Sequence, residues 1–153
     1  MSNLNANLSR PSTSLSSVSD VSVLFDPQRM VSAVSRLIVG SKRVVGCVAW
    51  LTHPTLLSAL SRTDSSLIVT RSRLNPRKRE FASRGIKLKF LGRRRLLMHH
   101  KFLVGFDAVG PAWVSVGSFN MTRAAVRNLE NLLVIRDRAL ASVFSAEYER
   151  LVR

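Results

Sequence analysis

The chain of 153 residues carries 24 Lys and Arg against 9 Asp and Glu, a formal charge of +15, and 46% of its residues are hydrophobic. That length builds one core, and the hydrophobic share excludes a disordered basic tail. One cysteine, Cys47, excludes a disulfide framework or multi-thiolate zinc site, and no apolar run reaches the roughly 18 residues that span a bilayer. The excess of cations on a packed domain points to a polyanionic partner, most often nucleic acid, less often an anionic membrane surface.

Residues 1–20 are rich in Ser and Asn, with one Arg, one acid and no helical or strand period. They predict a disordered arm ahead of a single domain over 21–153. The arm lacks the basic and apolar regions of a secretory signal, so an intracellular protein without signal peptide or transmembrane segment is expected. Val21–Phe25 reads as a short strand. Asp26-Pro27 then supplies an N-cap and a first-turn proline for a helix that buries Met30, Val31, Val34, Leu37 and Ile38 and stops at Gly40. Val44–Leu51 is a continuous apolar run of strand length, as in strands buried on both faces.

A short helix is expected over Pro54–Ser61, a strand at Leu67–Thr70, and a third helix opened by Asn75-Pro76 and closed by Gly85. Ile86, Leu88 and Phe90 alternate with Lys87 and Lys89 as a half-buried strand. Strands at about His99–Val104, Trp113–Val116 and Leu132–Ile135 precede a final helix, capped by Asp137, that buries Leu140, Val143, Phe144, Tyr148 and Leu151. Interleaved strands and helices predict an α/β domain with a mixed, mainly parallel sheet and helices on both faces. Cys47 reads as a buried small hydrophobe, Trp50 and Trp113 as core, and His53 as a helix-start residue.

The charge is uneven. From Arg71 to Lys101 lie twelve of the 24 basic residues against one acid, Glu80. This stretch runs into the densest polar chemistry of the chain: His99-His100-Lys101, then Gly117-Ser118-Phe119-Asn120, then Asn128-Leu129-Glu130-Asn131. In extended backbone, residues i and i+2 share a face, so His99 pairs with Lys101, Ser118 with Asn120 and Asn128 with Glu130, while His100 points away. Cation and neutral donors suit phosphoryl oxygens, an imidazole can attack or move a proton, and a carboxylate can orient it.

MHHKFLVGFD, VGSFNMT and NLEN, in this order, resemble the HKD signature of the phospholipase D superfamily, H-x-K-x4-D-x6-G-S-x-N. The resemblance extends from about Val21 to Leu151 and includes FDP and VAWLTHP. Five residues separate Lys101 from Asp107, one more than in the signature, and AVGPAWVSV lengthens the path to Gly117, so Asp107 reads as a turn residue. The strand LIVTR ends in Thr70 and Arg71, where many relatives carry an acid.

The resemblance implies a homodimer, since one motif is present and members of this size resemble half of the two-motif enzymes. His99 of one chain would attack phosphorus to form a phosphohistidine, and His99 of the other would protonate the leaving oxygen and then activate water. Lys101 and Asn120, with Ser118 nearby, would bind non-bridging oxygens, and Glu130 would fix the imidazole tautomer. No metal or other cofactor is implied.

The resemblance favours an endonuclease on DNA or RNA, single strands above duplexes, and the basic stretch supplies Arg71, Arg73, Arg93, Arg94 and Arg95 as expected substrate-binding residues. A cardiolipin-type phosphodiesterase is the alternative; a catalytically silent nucleic-acid-binding module is the third reading. Stable membrane association is not expected, because the sequence offers no membrane-lying amphipathic helix.

Overall fold

The computed structural model describes residues 20–75, 78–93 and 96–153. The predicted arm up to residue 19, Pro76, Arg94 and Arg95 lie outside the described residues, as does the side chain of Arg93.

Strand β1 (Val21–Leu24) leads into helix α1 (Pro27–Val39). The Asp26 carboxylate accepts from the N–H groups of Gln28 and Arg29 at 2.8 and 3.0 Å, Pro27 takes the first helical position, and Gly40 is the C-cap. Then follow β2 (Arg43–Val48), α2 (Pro54–Leu60), β3 (Asp64–Thr70), α3 (Lys78–Ala82), β4 (Lys87–Arg93) and β5 (Leu96–Leu97). The chain ends with β6 (Lys101–Phe106), β7 (Pro111–Gly117), a 3-10 turn (Ala125–Arg127), β8 (Leu132–Ile135) and α4 (Arg138–Val152).

The eight strands form one sheet in the order β1-β8-β7-β6-β2-β3-β4-β5. It is mixed, but the expectation of a mainly parallel sheet is corrected: β2–β3 and β3–β4 are parallel, and the other five pairings are antiparallel. Parallel neighbours need a crossover. Helices α2 and α3 provide two of these, whereas β6 and β7 form a hairpin and β7 returns to β8 through the 3-10 turn. The sequence pattern records burial, and burial on two faces does not fix strand direction.

Both faces are covered. Val44, Val48, Leu67, Val69 and Leu103 pack with α1, α2 and Phe81 of α3. Val45, Cys47, Ile68, Phe102, Val104 and Val114 pack with Ala141 and Tyr148 of α4. Strand β2 contributes to both layers, which is why its sequence is apolar without alternation. Burial pushes the Cys47 thiol up to about 12, so it remains a neutral core group. Gly46 has no room for a side chain between β2 and β6: a Cβ there would lie 2.3 Å from the Phe102 carbonyl oxygen.

Three local readings change or gain a cause. Strand β3 begins at Asp64, before the apolar run, because its serines find partners: Ser65 donates to the Leu60 carbonyl at 2.9 Å, and Ser66 and the Tyr148 hydroxyl are 2.6 Å apart. Asn75 does not open the third helix, which starts at Lys78. It is buried, donates to the carbonyls of Ala49 and Thr70 at 2.8 and 2.9 Å, and accepts from Leu51 N–H at 2.9 Å. Asp107 takes the expected turn role. It accepts from Val109 and Gly110 N–H in the β6–β7 hairpin and from both arms of Arg138, whose bonds hold its carboxyl well below the usual range.

Candidate active site

The polar segments meet at one end of the sheet, where β2 and β7 finish and β6 and β8 begin. Val48 pairs with Lys101, and Gly117 pairs with Leu132. Gly117 allows the close approach of the last two: a Cβ there would lie 2.2 Å from the Asn131 carbonyl oxygen. The Ser118 N–H then donates to that carbonyl at 3.1 Å. Beyond β2 the chain stays tied to the same edge, with Ala49 N–H on the His100 carbonyl and Thr52 and His53 N–H both on the Met121 carbonyl.

His99 and Lys101 share a face, as the i, i+2 spacing predicts. Lys101 Nζ lies 3.2 Å from both imidazole nitrogens and 3.0 Å from the His99 carbonyl oxygen. His100 turns the other way, toward α4: its Nε2 is 3.5 Å from Glu147, and its ring packs edge-on against Phe102. Trp50 corrects an expectation. It sits past the end of β2, half-buried rather than in the core, with its ring 5.4 Å from that of His99 at an interplanar angle of 80°. Trp113 is buried as expected, with Nε1 donating to Ser41 at 3.0 Å.

Ser118, Asn128, Glu130 and Asn131 form the second half. The Ser118 hydroxyl donates to the Glu130 carboxylate and accepts from Asn131 N–H at 3.0 Å, and the Asn128 amide donates to Glu130 at 3.2 Å. Within one chain, therefore, Glu130 is held by Ser118 and Asn128 and makes no hydrogen bond to His99. The expected tautomer-fixing contact is not made in the single chain, and Ser118 is engaged with the carboxylate. Asn120 places a buried side-chain oxygen in the same region with no partner among the described residues. His53 is the N-cap of α2, the expected helix-start position.

Partial burial, with the charges of Lys101 and His100 adding to it, lowers the His99 pKa and favours the neutral ring. Burial also lowers that of Lys101, while the Glu130 carboxylate acts in the opposite direction, which places the two halves of the site in one electrostatic unit. Arg71 and Arg73 are exposed beyond the end of β3. Among the described residues no group of three His, Cys, Asp or Glu converges as a metal site, and no helix is long and apolar enough to cross a membrane.

Sequence reasoning missed Trp50 and Asn75. The signal available for Trp50 was its place at the end of an apolar run, just before the Thr52-His53-Pro54 turn. Asn75 reads in the sequence only as a helix start, because its partners lie up to 26 residues away.

An open mixed sheet with this site at the ends of its central strands is that of a phospholipase D-like domain. Residues 20–152 match the family model described as "Cardiolipin synthase, PLD-like domain", and the chain belongs to that family. No curated protein matches the sequence. Among solved structures, NucT from Helicobacter pylori is similar with a TM-score of 0.75 and 17% identity, over 87% of this chain and 95% of that one. Nuc from Salmonella typhimurium, a phospholipase D family member, gives 0.66 and 24%, over 85% and 91%. Yeast tyrosyl-DNA phosphodiesterase gives 0.54 and 13%, over 76% of this chain and 31% of that one. Family membership supports phosphodiester hydrolysis as the general class of chemistry.

Proposed function

We propose that the protein is a metal-independent endonuclease that hydrolyses DNA or RNA, preferring single strands, and that it works as a homodimer through His99. The observation that carries this reading is the His99–Lys101 pair beside the Ser118–Asn128–Glu130 cluster at the end of a strongly basic stretch. A neutral His99 attacks phosphorus, forming an N–P bond as the P–O bond to the leaving nucleotide breaks. Lys101 offsets charge on the non-bridging oxygens, with Asn120 beside it. The leaving oxygen takes a proton from a second imidazole, which then removes one from the water that cleaves the N–P bond.

That second imidazole comes from another copy of the chain. His100 faces Glu147 on the α4 side and His53 begins α2, so neither shares a face with Lys101. Arg71, Arg73 and the basic residues through Arg93, Arg94 and Arg95 supply backbone affinity that carries no sequence information.

The test is a panel of fluorescent single-stranded DNA, single-stranded RNA and cardiolipin vesicles, each with EDTA. Nucleic acid should be cut with EDTA present, and binding should weaken at least about tenfold between roughly 50 and 200 mM salt. Salt-insensitive binding would count against the basic surface as the substrate platform.

The pH dependence follows from the two imidazoles. The acidic limb belongs to His99, which must lose its proton to attack; with its pKa lowered, that limb should fall below pH 6.5, the ordinary histidine value. The alkaline limb belongs to the protonated imidazole, giving a bell near neutrality. A rate that climbs steadily to pH 10 in a kcat profile would eliminate the two-histidine scheme.

One observation favours a phospholipid substrate as the second reading. A groove of about 550 Å³ opens beside His99 and His100, between α4 and strands β4 to β6, and Leu91, Leu97, Met98, Phe102 and Phe144 line it. An acyl chain could occupy it with the phosphate at His99. Turnover of cardiolipin without turnover of nucleic acid in the same panel would establish this reading over the first.

A further inference from the structure

We infer that Trp50 is a positioning residue, whose indole holds the His99 imidazole edge-on and seats the Lys101 ammonium over its ring so that both meet one phosphate in fixed mutual geometry. This rests on the reading of His99 as the reacting group. Lys101 Nζ lies over the indole, 6.0 Å from the ring centroid, and the His99 ring stands nearly perpendicular to it. Edge-to-face packing and a cation over an aromatic face are both attractive, and tryptophan is the strongest partner for the cation.

His99 needs such a wall. The residue is exposed, and among the described residues its ring has Lys101, itself a flexible side chain, as its one hydrogen-bond partner. Trp50, by contrast, has a fixed base. Ala49 before it donates to the His100 carbonyl, and Leu51 after it donates to Asn75. The ring is thus anchored to the same backbone that presents His99. The Trp50 Nε1 is buried without a hydrogen-bond partner among the described residues, whereas the Nε1 of Trp113 has Ser41. A residue kept only to fill space would do so without an unmade donor bond; the ring contacts give the indole a different purpose.

The experiment compares the full chain with Trp50→Phe, Trp50→Leu and, as control, Trp113→Phe. Steady-state cleavage of a single-stranded oligonucleotide is measured with NMR titration of the His99 ring and thermal melts. Trp50→Leu should lower kcat about ten- to a hundredfold while KM stays within about threefold, because ground-state binding is left in place. Trp50→Phe should recover most of that loss, and Trp113→Phe, if folded, should keep wild-type kcat. The His99 titration should move upward in Trp50→Leu, since burial is the first cause of its lowered value, and less in Trp50→Phe.

A folded Trp50→Leu with wild-type kcat and an unmoved His99 titration would overturn the inference. If that variant does not fold, the unmutated protein still decides, since absence of a nuclear Overhauser contact between the His99 and Trp50 rings would overturn it equally. If the wild type cuts no nucleic acid, the titration and the ring contact still report on Trp50, so failure of the substrate reading is distinguishable from failure of the positioning role.

Discussion

His99→Ala is expected to abolish phosphodiester cleavage, with turnover lower by at least about a thousandfold, as when other covalent nucleophiles are removed. The fold should be little changed: the imidazole is exposed, and among the described residues its ring hydrogen-bonds to Lys101 alone and touches half-buried Trp50, so no buried polar group loses a partner. A thermal melt within about 1 °C of wild type alongside a dead enzyme would therefore localise the loss to chemistry. His100→Ala is the matched control. It removes the 3.5 Å contact with Glu147, whose carboxylate keeps two bonds from Arg150 at 2.6 and 2.7 Å, and activity should remain near wild type. Cleavage by His99→Ala at wild-type rate, in a gel assay with EDTA, would remove His99 from the mechanism.

Asn75→Ala is the second large effect, and it acts through the fold. Three buried hydrogen bonds disappear together, leaving the Thr70 carbonyl without the Asn75 amide and Leu51 N–H without its acceptor, while the Ala49 carbonyl keeps the Thr70 N–H at 3.2 Å. Unsatisfied buried backbone groups cost about 1–3 kcal/mol each, so a loss of about 3 kcal/mol in urea unfolding is expected. In a domain of this size that lowers Tm by roughly 10 °C. Leu51 and Ala49 flank Trp50, so the folded fraction should also lose activity with His99 intact. A melt within about 2 °C of wild type would mean that water replaces the amide at this position.

The legible parts of the sequence were those in which local chemistry decides the outcome. Asp26-Pro27 and Asp137 set helix starts because capping is a matter of a few adjacent atoms, and both caps are made in the structure. His99 and Lys101 fall on one face because the pleat alternates over two residues. Strand direction was illegible, because Val45 and Val48 report that they are buried and not which way the neighbouring strand runs. Asn75 and Trp50 escaped for a related reason: their partners arrive from distant strands through tertiary packing. The bonding of Glu130 escaped too, since proximity in a motif names a group of residues without saying which pairs touch.

Tandem histidines just before β6 leave the choice of reagent to the parity of a count. Moving the strand by one residue would offer His100 to the phosphate and turn His99 toward α4, while a shift of two would keep each imidazole on its face but carry it about 6–7 Å along the strand. The parity is fixed away from the chemistry by Phe102 and Val104 packing on the α4 side and Leu103 on the opposite side, and Gly46 leaves room for that register by letting the backbone of β2 run against Phe102. A side chain at Gly46 would collide with the Phe102 carbonyl, and relief by sliding β6 would exchange the two histidines without altering either of them. Reactivity at one end of the sheet thus depends on an atom that is missing from its middle.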